Sequence, residues 1–284
     1  MRALLLLCVV VAALALLPLA CVTPPLVMSG GAPCIEFGPR RVAWNAQPVE
    51  VQVAPSRRLR GVYVPAGPDA PLVLHFLGSS GSVTIPQSAE GLSFDTDDLF
   101  GALRERGFAS LAFDYSGVGA SDGERDPRNV PADAFAAWSE ALRRVDGDPA
   151  RITLRGMSLG TLATASLLER GVEPAAVVLI APVRAETAAV NWLRDRHGSW
   201  LAWFARPFLQ RPMPVDLLAA LTRTQAPLTV ALGARDALLT SDERRRIERL
   251  ALERGARVLE LDVDHLRLVH AGYAPLEFES LNLR

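Results

Sequence analysis

Residues 72–77, 108–113, 152–154, 176–180, 228–232 and 257–261 are short runs dominated by apolar side chains. Strands that are apolar on both sides must be covered on both sides, so these runs predict a parallel sheet between two layers of helices. Helix-like stretches separate them, over 97–106, 131–144, 161–169 and 241–254. Asp97 and Ser241 stand where N-caps belong, and Gly107 and Gly255 stand at the helix exits. Upstream, residues 49–53 alternate apolar and polar, 55–58 break the pattern and 59–64 resume it, which predicts an antiparallel hairpin at a sheet edge. The expected architecture is one α/β domain over 48–284, with a mostly parallel central sheet and helices on both faces.

The alternation fails over residues 184–224. Trp192, Trp200, Trp203, Phe204 and Phe208 crowd this stretch, and Pro207, Pro212 and Pro214 divide it into short helices. An insertion of that length between two core strands is expected to form a cap over the mouth of a site. Most of its aromatics are expected to pack the cap onto the domain.

Composition narrows the chemistry. At 284 residues, half of them apolar, the chain can bury a large core without a second domain. A net charge of −1 gives no basic excess for nucleic acid, so a small, weakly charged partner is expected, such as an acyl ester or a lipid. All 30 basic residues are arginine. Without lysine, a Walker A phosphate loop, a Schiff-base mechanism and a kinase strand lysine are excluded.

The N-terminus has the layout of a secretory signal: Arg2, an apolar run over residues 3–17, then Pro18-Leu19-Ala20-Cys21. Ala20-Cys21 resembles the end of a bacterial lipobox, which makes Cys21 a candidate lipidation site and a membrane tether. A plain cleaved signal and an uncleaved anchor are the alternatives, the apolar run being short for a bilayer span. Residues 1–20 are thus expected to direct export to a bacterial cell envelope or beyond it. Residues 21–47, rich in Pro and Gly, are expected to be a tether and entry segment. Cys34 is left as a free thiol if Cys21 is lipidated, and as its disulfide partner if not.

The chemistry is expected at Gly156-Met157-Ser158-Leu159-Gly160, between a strand and a helix. A sharp turn there demands residues without bulk two before and two after the serine, and both are glycine. A serine hydroxyl needs a base in hydrogen-bond reach and a carboxylate to orient that base. Asp236 follows the 228–232 strand directly and is the candidate acid. Of four histidines, His75 lies within a strand, His197 in the cap and His270 beyond the last strand's end, whereas His265 follows that strand at once and is the candidate base. Asp262 and Asp264 are too close in sequence to reach its distal nitrogen. The oxyanion donors are expected to be the N–H groups of Leu159, at a helix start, and of Ser79, in the small-residue loop Leu77-Gly78-Ser79-Ser80-Gly81, with Gly78 as the alternative. No metal or cofactor is called for.

These residues, with the loop Asp114-Tyr115-Ser116-Gly117-Val118-Gly119-Ala120-Ser121-Asp122-Gly123, resemble the α/β-hydrolase superfamily, and within it the serine hydrolases of the ABHD13 and Bem46 type, over residues 60–270. The resemblance implies the α/β-hydrolase fold and hydrolysis of an ester, thioester or amide through an acyl-enzyme, with carboxylesterase or lipase-like activity first and peptidase activity second. A non-enzymatic, lipid-binding envelope protein on the same fold is the alternative of another class. The chain departs from the pattern at Leu77, where the superfamily usually has histidine, and at Ser116, where it usually has arginine. Gly117-Val118-Gly119 also invites a dinucleotide-binding reading, but Asp122 at the sixth position would repel a pyrophosphate and no helix follows at once.

Overall fold

A computed structural model describes residues 38–79, 81–84, 88–89, 92–93, 96–209 and 215–271. The signal-like segment, Cys21 and Cys34 lie outside the described residues. Within the stretch expected to be a tether, Pro39–Ala43 forms a short helix, α1, that Arg41 docks by donating to Asp97 (2.6 Å) and to the Val83 carbonyl (2.6 Å).

The main sheet has eight strands in the order β1-β2-β6-β3-β7-β8-β9-β10. β1 (Gln47–Ala54) and β2 (Arg57–Val64) form the expected antiparallel hairpin. β2 pairs antiparallel with β6 (Ala109–Phe113), and from β6 onward every pairing is parallel: β3 (Leu72–Phe76), β7 (Ile152–Met157), β8 (Ala176–Ile180), β9 (Leu228–Gly233) and β10 (Arg257–Leu261). β4 (Ser88–Ala89) and β5 (Leu92–Ser93) make a separate two-stranded sheet. Every residue of β3, β6, β7 and β9 is buried, which is why these runs read as apolar on both sides.

Two hydrophobic clusters lie on the two faces. α2 (Asp97–Glu105) and α9 (His265–Ala271) cover one; α3 (Val130–Arg144), α4 (Leu159–Glu169), α7 (Leu217–Arg223) and α8 (Ser241–Glu253) cover the other. The chain leaves β3 for β6 on one side and returns to β7 on the other. That reversal opens a crevice at the carboxyl ends of β3 and β7, where ligands bind in open α/β sheets.

Among the described residues of 184–224 there are three helices, α5 (Ala188–His197), α6 (Ser199–Leu209) and α7. α7 packs on α4 and joins the main core through Leu217, Leu218, Ala220 and Leu221. Only α5 and α6 stand apart, with a small cluster of their own around Val190, Leu193, Ala202 and Ala205. Trp200, Trp203 and Phe204 do not pack onto the domain as expected; they are 67%, 75% and 43% exposed. α6 meets α5 through Ala202 and Ala205, which leaves Trp200, Trp203 and Phe204 exposed.

Both expected N-caps shift by one residue. Thr240, in extended conformation, caps α8: its hydroxyl accepts from Glu243 N–H at 3.2 Å, and Glu243 accepts from Thr240 N–H at 2.8 Å. Ser241 is already helical. At α2 the boundary residue is Thr96, whose hydroxyl accepts from Arg41 at 3.1 Å and does not cap, and Asp97 is already helical. Thr240→Ala is expected to lower stability by about 1 kcal/mol, read as a shift in the urea midpoint; an unchanged midpoint would show the capping box to be energetically idle.

Candidate active site

Ser158 is the entire turn between β7 and α4, with φ 52° and ψ −116°. A positive φ at a residue with a side chain is strained, and close packing around the turn holds it. A Cβ on Gly160 would lie 2.0 Å from the Phe76 carbonyl oxygen, and one on Gly156 would lie 2.5 Å from the Gly160 carbonyl oxygen and the Thr164 hydroxyl. Helix α4 therefore sits against the end of β3 closer than any side chain allows. The turn projects the serine side chain out of the sheet toward the crevice.

Three predicted residues meet there. Ser158 Oγ is 2.8 Å from His265 Nε2, and His265 Nδ1 is 2.6 Å from Asp236 Oδ2. The Asp236 side chain is 1% exposed, and its second oxygen accepts from the Leu238 N–H at 2.8 Å. That bond fixes the carboxylate's plane and leaves Oδ2 for the imidazole. His265 is the first residue of α9: three residues after β10 suffice to reach it, because Asp264 caps the helix by accepting from Arg267 N–H at 2.8 Å. Two backbone bonds clip the Asp236 loop to the segment before His265, Ala234 N–H to the Leu261 carbonyl (2.8 Å) and Arg235 N–H to the Val263 carbonyl (3.1 Å). Asp262 turns away to Arg235, at 3.0 Å.

The other wall is the loop after β3. Gly78 is buried against Ser158, where a Cβ would stand 3.4 Å from that of the serine. Ser79 is exposed, and its carbonyl accepts from Arg125 at 2.6 Å. Leu77, the departure from the usual histidine, is buried, and its carbonyl accepts from the Tyr115 hydroxyl at 3.2 Å. Leu159 opens α4, where the first N–H groups of a helix lack intrahelical acceptors. The remaining histidines are placed as expected: His75 is buried beside Ser110 (3.3 Å), and burial, then the Arg155 charge, pushes its pKa well below the ordinary range, so it is a neutral core residue. His197 is exposed, and His270 lies a turn beyond His265 on α9.

The family described as Serine aminopeptidase, S33 matches residues 93–262. The chain belongs to this family, within the α/β-hydrolase superfamily. The uncharacterized protein Rv2307c of Mycobacterium tuberculosis is 30% identical over 221 residues, 76% of this chain and 71% of that protein. Human alpha/beta hydrolase domain-containing protein 17C is 42% identical over 73 residues, 26% of this chain and 22% of its own length. The Pyrococcus furiosus esterase Pf2001 shares the fold, with a TM-score of 0.63 over 87% of this chain and 93% of its own, at 22% identity.

Sequence reading gave Asp114 no role, although it opens the quoted motif loop of this α/β hydrolase. It is 1% exposed and collects the Val83 N–H (2.7 Å), the Ser82 hydroxyl (2.8 Å) and the Thr84 hydroxyl. The segment that follows the loop after β3 is thereby tied to the motif loop. Gly119 must be glycine here, since a Cβ would fall 1.9 Å from an Asp114 oxygen. Asp122, weighed against a dinucleotide, pairs instead with Arg60 at 2.6 Å, which holds its carboxyl below the usual range. Ser116 donates its N–H (2.9 Å) and hydroxyl (2.8 Å) to the buried Asp133, and Arg57 of β2 approaches that carboxylate at 4.0 Å.

Burial pushes the Asp114 carboxyl up from its ordinary 3.8, against the pull of its donors. A raised folded pKa means the folded state holds more protons than the unfolded state between the two values, so stability falls as pH rises through that window. Asp114→Asn removes this slope. Its deficit relative to the wild type is expected to be largest in acid and to narrow as pH rises from about 3.8, followed by urea midpoints; a deficit that widens with pH would mean the fold favours the carboxylate.

Proposed function

We propose that the protein is a serine hydrolase of carboxylic esters, carboxylesterase or lipase-like, acting through Ser158, His265 and Asp236. The continuous relay from Ser158 through His265 to Asp236, on a strained turn in a crevice, carries this reading. As Ser158 Oγ attacks the acyl carbonyl, His265 Nε2 takes its proton, and Asp236 holds the tautomer with hydrogen on Nδ1 and stabilises the imidazolium. The oxyanion is received by the N–H groups of Leu159 and Ser79, with the positive end of α4 behind the first. Collapse expels the alcohol, protonated by His265, and a water activated by the same histidine cleaves the acyl-enzyme. Apart from the substrate and that water, every step uses groups of the chain itself.

An ester is favoured because the α5–α6 pair, which carries an exposed aromatic stripe, is tied beside the loop of Asp236. Asn191 of α5 donates to the Leu238 carbonyl at 2.9 Å, two residues past Asp236, and Thr187 donates to Glu243 at 2.6 Å. The family's description as aminopeptidases favours a second substrate class on the same machinery, an amide with a free N-terminus. The motif loop and pentapeptide support a place near the ABHD13 and Bem46 type. The N-terminal segment supports export, with Cys21 as the lipidated tether.

A fluorophosphonate probe is expected to label the wild type and not Ser158→Ala. In a chain-length series of p-nitrophenyl esters, His265→Ala is expected to lose about 10³-fold or more in kcat/KM, with His270→Ala near wild type. Labelling of Ser158→Ala would overturn the nucleophile, and loss with His270→Ala alone would move the base. Faster turnover of amino-acid anilides than of any ester would select the peptidase reading. Mass spectrometry of the mature N-terminus is expected to begin at a lipidated Cys21; an unlipidated start beyond it would exclude the lipoprotein.

A further inference from the structure

α6 turns Ala202 and Ala205 onto α5 and leaves Trp200, Trp203 and Phe204 in solvent. Spaced three and four apart, these rings form one stripe along the helix. Isolated exposed apolar residues are ordinary, but contiguous aromatic surface on one helix face marks a surface that meets something.

The surroundings of the stripe indicate what it meets. Trp203 also lines a cavity of about 260 Å³ between α5 and α6, together with Arg194, Arg206, Ser199 and Thr187, and no acidic residue lines it. The hairpin as a whole, residues 188–209, carries three arginines against the single Asp195, in a chain whose net charge is −1. Guanidinium groups match phosphate oxygens two at a time. Indole rings settle where apolar and hydrated layers meet, because the ring is apolar and its N–H is polar. A helix with an aromatic face and flanking arginines therefore suits the headgroup layer of an anionic bilayer, lying in its plane. Among the described residues no helix is long and apolar enough to cross a membrane, which agrees with an in-plane helix. A protein groove would match the rings but gives no reason for two arginines at a small cavity beside them.

We propose that α6 docks this hydrolase on a bilayer containing anionic phospholipid, with Trp200, Trp203 and Phe204 entering the headgroup layer and Arg194 and Arg206 receiving headgroup phosphates. Because α5 is tied to the loop of Asp236 through the Leu238 carbonyl, docking on this face turns the carboxyl edge of the sheet toward the lipid. The surface is independent of any covalent step at Ser158.

The test uses the full-length protein on vesicles of phosphatidylcholine and phosphatidylglycerol whose acyl chains are brominated near the headgroup. Bromine quenches only indoles that enter that layer, whatever the N-terminal segment does. Wild-type fluorescence is expected to be quenched, and Trp200→Ser/Trp203→Ser to lose most of that quenching while Trp44, Trp138 and Trp192 remain. Quenching is expected to weaken on phosphatidylcholine alone, and Arg194→Gln/Arg206→Gln to abolish the difference between the two lipids. Absence of quenching in the wild type, or equal quenching in the tryptophan variant, overturns the proposal. So does self-association of the protein with its tryptophans unquenched, which would make the stripe a contact between copies. Equal wild-type quenching on both lipids overturns the requirement for anionic lipid. Turnover is not read, so failure of the hydrolase reading leaves this outcome unaffected.

Discussion

The constraint on which the site depends is the close approach of the start of α4 to the end of β3, where a single methyl on Gly160 would stand 2.0 Å from the Phe76 carbonyl oxygen. Much at the site follows from this approach. It allows only glycine at 156 and 160, holds Ser158 at positive φ, and brings Gly78 against the serine. It also falls at the reversal in strand order, so the strained residue faces the crevice that the topology opens. Strain of this kind persists only when the surrounding packing over-determines it, and here β3, β7 and α4 are buried almost throughout.

Around that contact, buried carboxylates hold the loops of the carboxyl edge. Asp114 gathers three donors from residues 82–84, Asp133 takes both polar hydrogens of Ser116, and Glu243 receives Thr187, Asn191 and Thr240. A buried charge is tolerable only when its lone pairs are met by donors, so each carboxylate enforces the conformation of the loop that supplies them. For Glu243, burial is the largest influence and pushes its carboxyl up, but the hydrogen bonds from Thr187 and Thr240 and the Arg184 charge together hold it below its ordinary value. The one residue thus caps α8 and ties α5 to the domain. Through Leu238, whose N–H goes to Asp236 and whose carbonyl receives Asn191, the hairpin is two hydrogen bonds from the acid.

The hairpin itself departs from the expectation of a cap whose aromatics seal it to the domain. α6 meets α5 through Ala202 and Ala205, against Val190 and Leu193, and α7, read as part of the same insertion, fills the main core instead. Aromatic density along the chain says that a segment must put its rings somewhere; the side that receives them depends on which helix face a neighbour covers. Burial of Ala202 and Ala205 settles that for α6.

The chain alone determined the features that rest on local period and on residues without substitutes. Both-sided apolar runs specify a covered parallel sheet, the absence of lysine removes whole chemistries, and two glycines flanking a serine specify a turn that nothing bulkier enters. His265 and Asp236 were legible by order and elimination, since few histidines follow the last strand. Only the tertiary structure decided their meeting at 2.8 and 2.6 Å, because that depends on backbone clips between β9 and β10 that no single stretch encodes. It likewise assigned Asp114 its donors and Asp122 its arginine, and it turned Trp200 and Trp203 outward. Those outcomes are set by which surfaces separate elements bring together, and periodicity, which reports one element at a time, carries no record of the neighbour.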